Sequence, residues 1–147
     1  MDSFDENIIQ QSGIQLRVHH IGCAVRSISK SLKQYQDIMG FRLVSGPYEV
    51  ISQKVKVCFL DMGSGVLLEL VEGIAKGASV EKVLDRPGAG VYHICYKVDN
   101  LDEAMKILCK NGFFKVTRIE QKDNKEFRYA FMLTPDRQLF ELCELKK

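Results

Sequence analysis

The sequence predicts an α+β chain: two βαβββ modules in tandem, forming a curved open barrel around a cleft. Three observations carry this expectation. Two apolar strands are written alike, LLELVE at 67–72 and LFELCE at 139–144, each with a carboxylate in the middle. The interval from Glu69 to Glu141 also separates Phe59 in VCFLDMG from Phe131 in YAFMLTP, and Gly40-Phe41 from Gly112-Phe113. Further upstream, VHHIGCAV at 18–25 matches VYHICYKV at 91–98, one residue out of step. Matching segments in the same order indicate an internal duplication, with a one-residue slip inside the helices.

Each half then reads in the same order. A strand comes first, at 16–25 and again at 90–98. A helix follows at 28–39, with Ile28, Leu32, Tyr35 and Met39 on one face. Its counterpart at 101–111 carries Leu101, Met105 and Leu108. That helix has start and stop signals: Asn100 as cap, Glu103 three residues on, and Gly112 after the end. Three strands complete each half, at 41–49, 54–61 and 66–72, then at 113–120, 126–133 and 138–144. GSG at 63–65 and TPDR at 134–137 supply hairpin turns. The connector, GIAKGASVEKVLDRPGAG, holds a short amphipathic helix near 79–85.

The expected organisation is a flexible tail at 1–14, a first module at 15–72, a connector at 73–90 and a second module at 91–147. Together they make one structural domain, in keeping with 147 residues. A four-stranded sheet with a helix on one face needs cover on the other. Two such sheets curved toward each other provide it and leave a cleft inside.

Composition narrows the function classes. The chain is 46% hydrophobic and 27% charged, which fits a globular protein. Net charge is +2 with acids and bases interspersed, so no basic stripe marks a nucleic-acid or membrane partner. No apolar run approaches a membrane span. MDSFDENIIQQSG is acidic and polar, unlike a signal or transit peptide. Cys23, Cys58, Cys95, Cys109 and Cys143 are odd in number, lack a CxxC and sit in apolar strand patterns. They read as free thiols in a reducing cytoplasm.

Strand alternation assigns the faces. Ile21, Cys23 and Val25 share the face beneath the first helix, and His20 points into the cleft. Tyr92, Ile94, Tyr96 and Val98 form the helix-facing row of the second copy, with His93 toward the cleft. Leu68 and Leu70 pack while Glu69 faces the cleft; Phe140 and Leu142 pack while Glu141 does. His19 is assigned to the side opposite His20, and Glu72 and Glu144 to exposed strand ends. Buried carboxylates need a partner or a metal. Two His and two Glu at repeat-equivalent places suit a divalent metal such as Zn, Ni, Co, Mn or Fe.

VHHIGCAV, LLELVEG, GAGVYHICYKVDNLDEA and FMLTPDRQLFELCE resemble the vicinal oxygen chelate superfamily of glyoxalase-like metalloenzymes. The likeness runs from about residue 16 to the end and is greatest to methylmalonyl-CoA epimerases. Its further marks are QKVKVCFLDMG, the VEKVL of the connector, and VDN after the second HIC-type strand. The resemblance implies a paired βαβββ barrel with metal ligands His20, Glu69, His93 and Glu141 and one divalent ion per site (Co, Ni, Zn or Mn). It implies an isomerase that transfers an α-proton through a metal-stabilised enolate. Glu141 is then the candidate base and Glu69 the possible second acid.

The implied substrate is an acyl-CoA or other thioester, and the implied assembly a homodimer. Lactoylglutathione lyase, with the same metal pattern, is the alternative; a dioxygenase or a ligand-binding protein of the same fold is more distant. Two features depart from the epimerases. Val57 stands where some carry an extra acid, and EQKDNKEFRY replaces a glycine-rich loop.

Overall fold

The computed structural model describes residues 14–121 and 127–145. The expected tail lies outside these residues except for Ile14, which is buried. The centre of EQKDNKEFRY also lies outside them. The described residues form an α+β fold of nine strands and few helices.

The elements follow the duplicated order. They are β1 (Arg17–Ala24), α1 (Ile28–Leu32), β2 (Arg42–Val50), β3 (Val55–Asp61), β4 (Leu67–Gly73) and α2 (Glu81–Leu84). Then come β5 (Val91–Lys97), α3 (Leu101–Lys110), β6 (Phe114–Lys115), β7 (Glu120–Gln121), β8 (Phe127–Leu133) and β9 (Leu139–Leu145). The chain divides into two compact units. One is His19–Ile94; the other takes the described residues at 14–18 and from 95 onward.

In the first unit the strands lie in the order β2-β3-β4-β1, with the start of β5 beside β1. β1 and β4 are parallel, which requires the crossover that α1 provides. Ser27 caps α1 with its hydroxyl on the Lys30 N–H. Glu72 of β4 accepts the N–H of Ile28 at 2.9 Å. Beneath α1, Ile28 packs with Cys23, Cys58, Leu60, Leu68 and Leu70, and Ile21, Val25, Leu32 and Tyr35 close around them.

Met39 does not join this face and is 51% exposed. The helix continues from Lys33 to Ile38 as a π-helix, in which the Met39 N–H bonds Gln34 O. The wider turn breaks the 3.6-residue spacing that would have carried Met39 inward. On the opposite face Ala24, Val55, Val57, Phe59 and Val71 pack under Ala78, Val80 and Val83 of the connector.

In the second unit β9 lies between the end of β5 and β8, and β6 and β7 both pair with β8. Asn100 caps α3 on the Glu103 N–H, and Glu144 accepts the Leu101 N–H at 2.7 Å. Leu101, Ala104, Met105 and Leu108 pack on Val98, Ala130, Met132, Phe140 and Leu142. The face-sharing row expected on β5 is divided. Val98 and Tyr96 pack under α3, but Tyr92 packs on the Val57 face of the first unit and Ile94 is 37% exposed. Among the described residues, the cluster under α1 takes its members from β1, α1, β2, β3, β4 and the adjoining turns, and Ile94 lies outside it.

The duplication extends to strand register. Phe59 pairs with Glu69 across β3 and β4, and Phe131 with Glu141 across β8 and β9. The expected strand at 113–120 is interrupted into β6 and β7. Val116 and Thr117 both donate to Phe131 O, and Thr117 Oγ1 accepts the Phe131 N–H, so the ladder bulges. The first unit has register shifts at the equivalent place, between Leu43 and Tyr48.

Candidate metal centre

β1 occupies the middle of the site, between β4 and β5. Its inward face reads His20, Gly22, Ala24. Gly22 is the register partner of Glu69 on β4. On its other side the His93 ring lies against the Gly22 backbone so closely that an added Cβ would stand 2.0 Å from Cε1. The missing side chain lets His93 lie across β1 and meet His20 and Glu69. A glycine inside a strand marks such a close approach, and that signal was present in VHHIGCAV.

Three donor atoms converge there. His20 Nε2 is 3.3 Å from His93 Nε2 and 3.5 Å from Glu69 Oε1. His93 Nε2 is 3.6 Å from the same oxygen. The histidines are buried at 1% and 3% exposure, and the Glu69 side chain retains 14%. Zinc-like ions hold imidazole nitrogen and carboxylate oxygen at about 2.0–2.2 Å, so donors sharing one ion stand about 3–3.5 Å apart. The triangle has nearly these edges, and its donor types suit a divalent first-row metal. The set therefore fits such an ion.

Glu141 belongs to the second unit. It is buried on β9 at 5% exposure, opposite Phe131, in the register Glu69 holds opposite Phe59. Burying a carboxylate this deeply is costly without compensation, as the sequence suggested.

The surroundings hold the imidazoles in place. The Phe59 ring meets His20 edge-on at 5.3 Å, and Tyr92 meets His93 at 4.5 Å. His19 is not on the far side, as alternation implied. Its Nδ1 lies 2.8 Å from His20 Nδ1, and its ring also faces Phe59. Alternation fixes the direction of the Cα–Cβ bond, and the imidazole beyond it can still turn back to its neighbour. Cys58 is held as a neutral thiol: burial, then the negative charge of Glu69, push its pKa up to about 11.

Glu72 and Glu144 are not exposed strand ends. They accept the first N–H of α1 and α3, and Lys56 and Arg128 respectively lie beside them. Their partners are distant in sequence, so no local pattern revealed the role.

Residues 19–131 match the family model described as the Glyoxalase/Bleomycin resistance protein/Dioxygenase superfamily. The chain is 31% identical over 132 residues to the uncharacterized protein YqjC of Bacillus subtilis (strain 168), covering 88% of this chain and 93% of that protein. It is 28% identical over 103 residues to the mitochondrial methylmalonyl-CoA epimerase of Dictyostelium discoideum, covering 69% of this chain and 60% of that one. The crystal structure of methylmalonyl-CoA epimerase from Mycobacterium tuberculosis shares the fold, with a TM-score of 0.78 at 24% identity over 88% of each chain. The chain belongs to the Glyoxalase/Bleomycin resistance protein/Dioxygenase superfamily.

Proposed function

We propose that this protein is a divalent-metal-dependent isomerase that moves the α-proton of an acyl thioester, with methylmalonyl-CoA or a close analogue as substrate. The observation that carries the reading is the convergence of His20 Nε2, His93 Nε2 and Glu69 Oε1 within 3.6 Å. Two further facts support it. Glu141 holds the register position of Glu69 in the second copy of the repeat. Similarity to the Dictyostelium epimerase points to the substrate class.

On this reading His20, Glu69, His93 and Glu141 hold one divalent ion. When bound, such an ion supplies Lewis-acid stabilisation of the negative charge that develops on the thioester oxygen, worth several kcal/mol. The chain's own residues move the proton. The Glu141 carboxylate takes the α-hydrogen as a proton, leaving the C–H electron pair to spread onto the thioester oxygen. Return of a proton to the opposite face of the planar carbon, from Glu69 or from Glu141 after the substrate turns, completes epimerisation. A general base needs hydrogen-bond reach and a suitable pKa.

Val57 is buried on the site face beside Phe59, so β3 contributes bulk there rather than an acid. The protein acts as a homodimer in a reducing cytoplasm, which keeps its thiols free. No helix among the described residues is long and apolar enough to cross a membrane.

The test is α-hydrogen exchange in deuterated water on protein loaded with Co, Ni, Zn or Mn. Methylmalonyl-CoA should exchange rapidly. Isomerisation of a glutathione hemithioacetal without thioester exchange would instead mark a lactoylglutathione lyase.

A further inference from the structure

The two site histidines have different neighbours. Each follows an aromatic or imidazole residue on its strand: His19 before His20, Tyr92 before His93. The Tyr92 ring packs nearly perpendicular to His93. His19 instead brings a nitrogen, with Nδ1 of the two imidazoles 2.8 Å apart. At that distance two neutral rings share one proton, one donating and the other accepting.

There are two ways to place it. If His19 donates, His20 carries its hydrogen on Nε2, directed at His93 Nε2 and Glu69 Oε1. The triangle is then closed by hydrogen bonding and offers no lone pair from His20. If His20 donates, its Nε2 is bare and its lone pair points into the triangle. Only the second arrangement makes His20 a ligand. Ligating histidines usually donate their other N–H to an acceptor that fixes tautomer and ring orientation. Phe59 packs edge-on against both rings, which holds the pair in register.

We propose that His19 is a positioning residue for His20. Its Nδ1 accepts the His20 Nδ1–H and turns the His20 Nε2 lone pair toward Glu69 and His93. This rests on the metal reading above. His19 itself then carries its hydrogen on Nε2.

The test measures Co²⁺ affinity of the metal-free full chain by chelator competition. His19→Phe keeps a flat ring against Phe59 but removes the acceptor. His19→Asn keeps an acceptor oxygen. His20→Ala marks loss of the ligand itself. His19→Phe should bind Co²⁺ about 10–100-fold more weakly than the parent, with an unchanged metal-free melting temperature, and His19→Asn should recover most of the loss. Parent-like affinity in His19→Phe, while His20→Ala fails to bind, overturns the positioning role alone. Equal losses in His19→Phe and His19→Asn would show packing rather than proton acceptance, and overturn it too.

A parent that binds no better than His20→Ala defeats the metal reading and this inference together. A second measurement does not depend on variant folding. Nitrogen-15 spectra of the zinc-loaded parent should show His20 protonated at Nδ1 and His19 at Nε2. The reverse assignment contradicts the proposal.

Discussion

The His93 ring lies against Gly22 with no room between them; a Cβ on Gly22 would overlap the ring at 2.0 Å. Gly22→Ala therefore has to displace His93 from the triangle with His20 and Glu69. Overpacking of this kind costs about 1–3 kcal/mol. The variant should lose most of its divalent-metal binding while losing only part of its urea stability. Metal content and urea denaturation of the same preparation check this. Parent-like metal binding would mean that His93 is not needed where it stands.

Metal itself is the second expectation. Protein purified without chelator should carry close to one divalent ion per chain by elemental analysis. His93→Ala should lose most of it. If His20→Ala and His93→Ala both bind like the parent, the ion sits elsewhere.

Glu72 and Glu144 anchor the two helices in the same way, each accepting the first N–H of its helix. A hydrogen bond to a charged group is worth about 1.5–3 kcal/mol, and a negative charge there also favours the helix N-terminus. Glu72→Ala and Glu144→Ala should each destabilise by about 1–3 kcal/mol in urea titrations. Glu144→Ala should weaken further on losing Arg128, which also bonds Asp102. A change within experimental error in both would remove the anchoring role.

The five cysteines are free thiols, and only Cys109 is not buried. Cys109 should alkylate first in the native protein near pH 8. Cys58 should resist until the pH nears its raised pKa of about 11. Raising the pKa of a buried thiol means the folded state holds its proton longer than the unfolded chain does. Its contribution to stability is therefore complete below about 9 and falls as pH rises toward 11. Mass spectrometry of timed alkylation reads the order; early labelling of Cys58 would contradict the burial.

Much of this was legible because the repeat enforces agreement between distant segments. The alternation in VHHIGCAV, LLELVE and VYHICYKV put His20, Glu69 and His93 on one face, and the structure brings their donor atoms together. The signals around Asn100 and Gly112 bounded α3 correctly. Other features depend on what periodicity does not encode. Met39 missed the core because α1 widens into a π-helix. The strand at 113–120 broke because two N–H groups share one carbonyl. His19 came to His20 through its side chain rather than its backbone face. Gly22 was visible as a glycine inside a strand, but its reason is the His93 ring on the neighbouring strand.

On the proposed function, a carboxylate of the repeated strand, that of Glu141, moves a substrate α-proton in a metal site. The most direct measurement is α-proton exchange of methylmalonyl-CoA in deuterated water by metal-saturated parent, Glu141→Gln and Glu69→Gln proteins. An amide oxygen can still coordinate a metal but cannot accept the proton. Glu141→Gln should keep metal and lose exchange by about 10²–10⁴-fold, with Glu69→Gln affected first in metal affinity. Exchange by metal-saturated Glu141→Gln at the parent's rate would contradict the account.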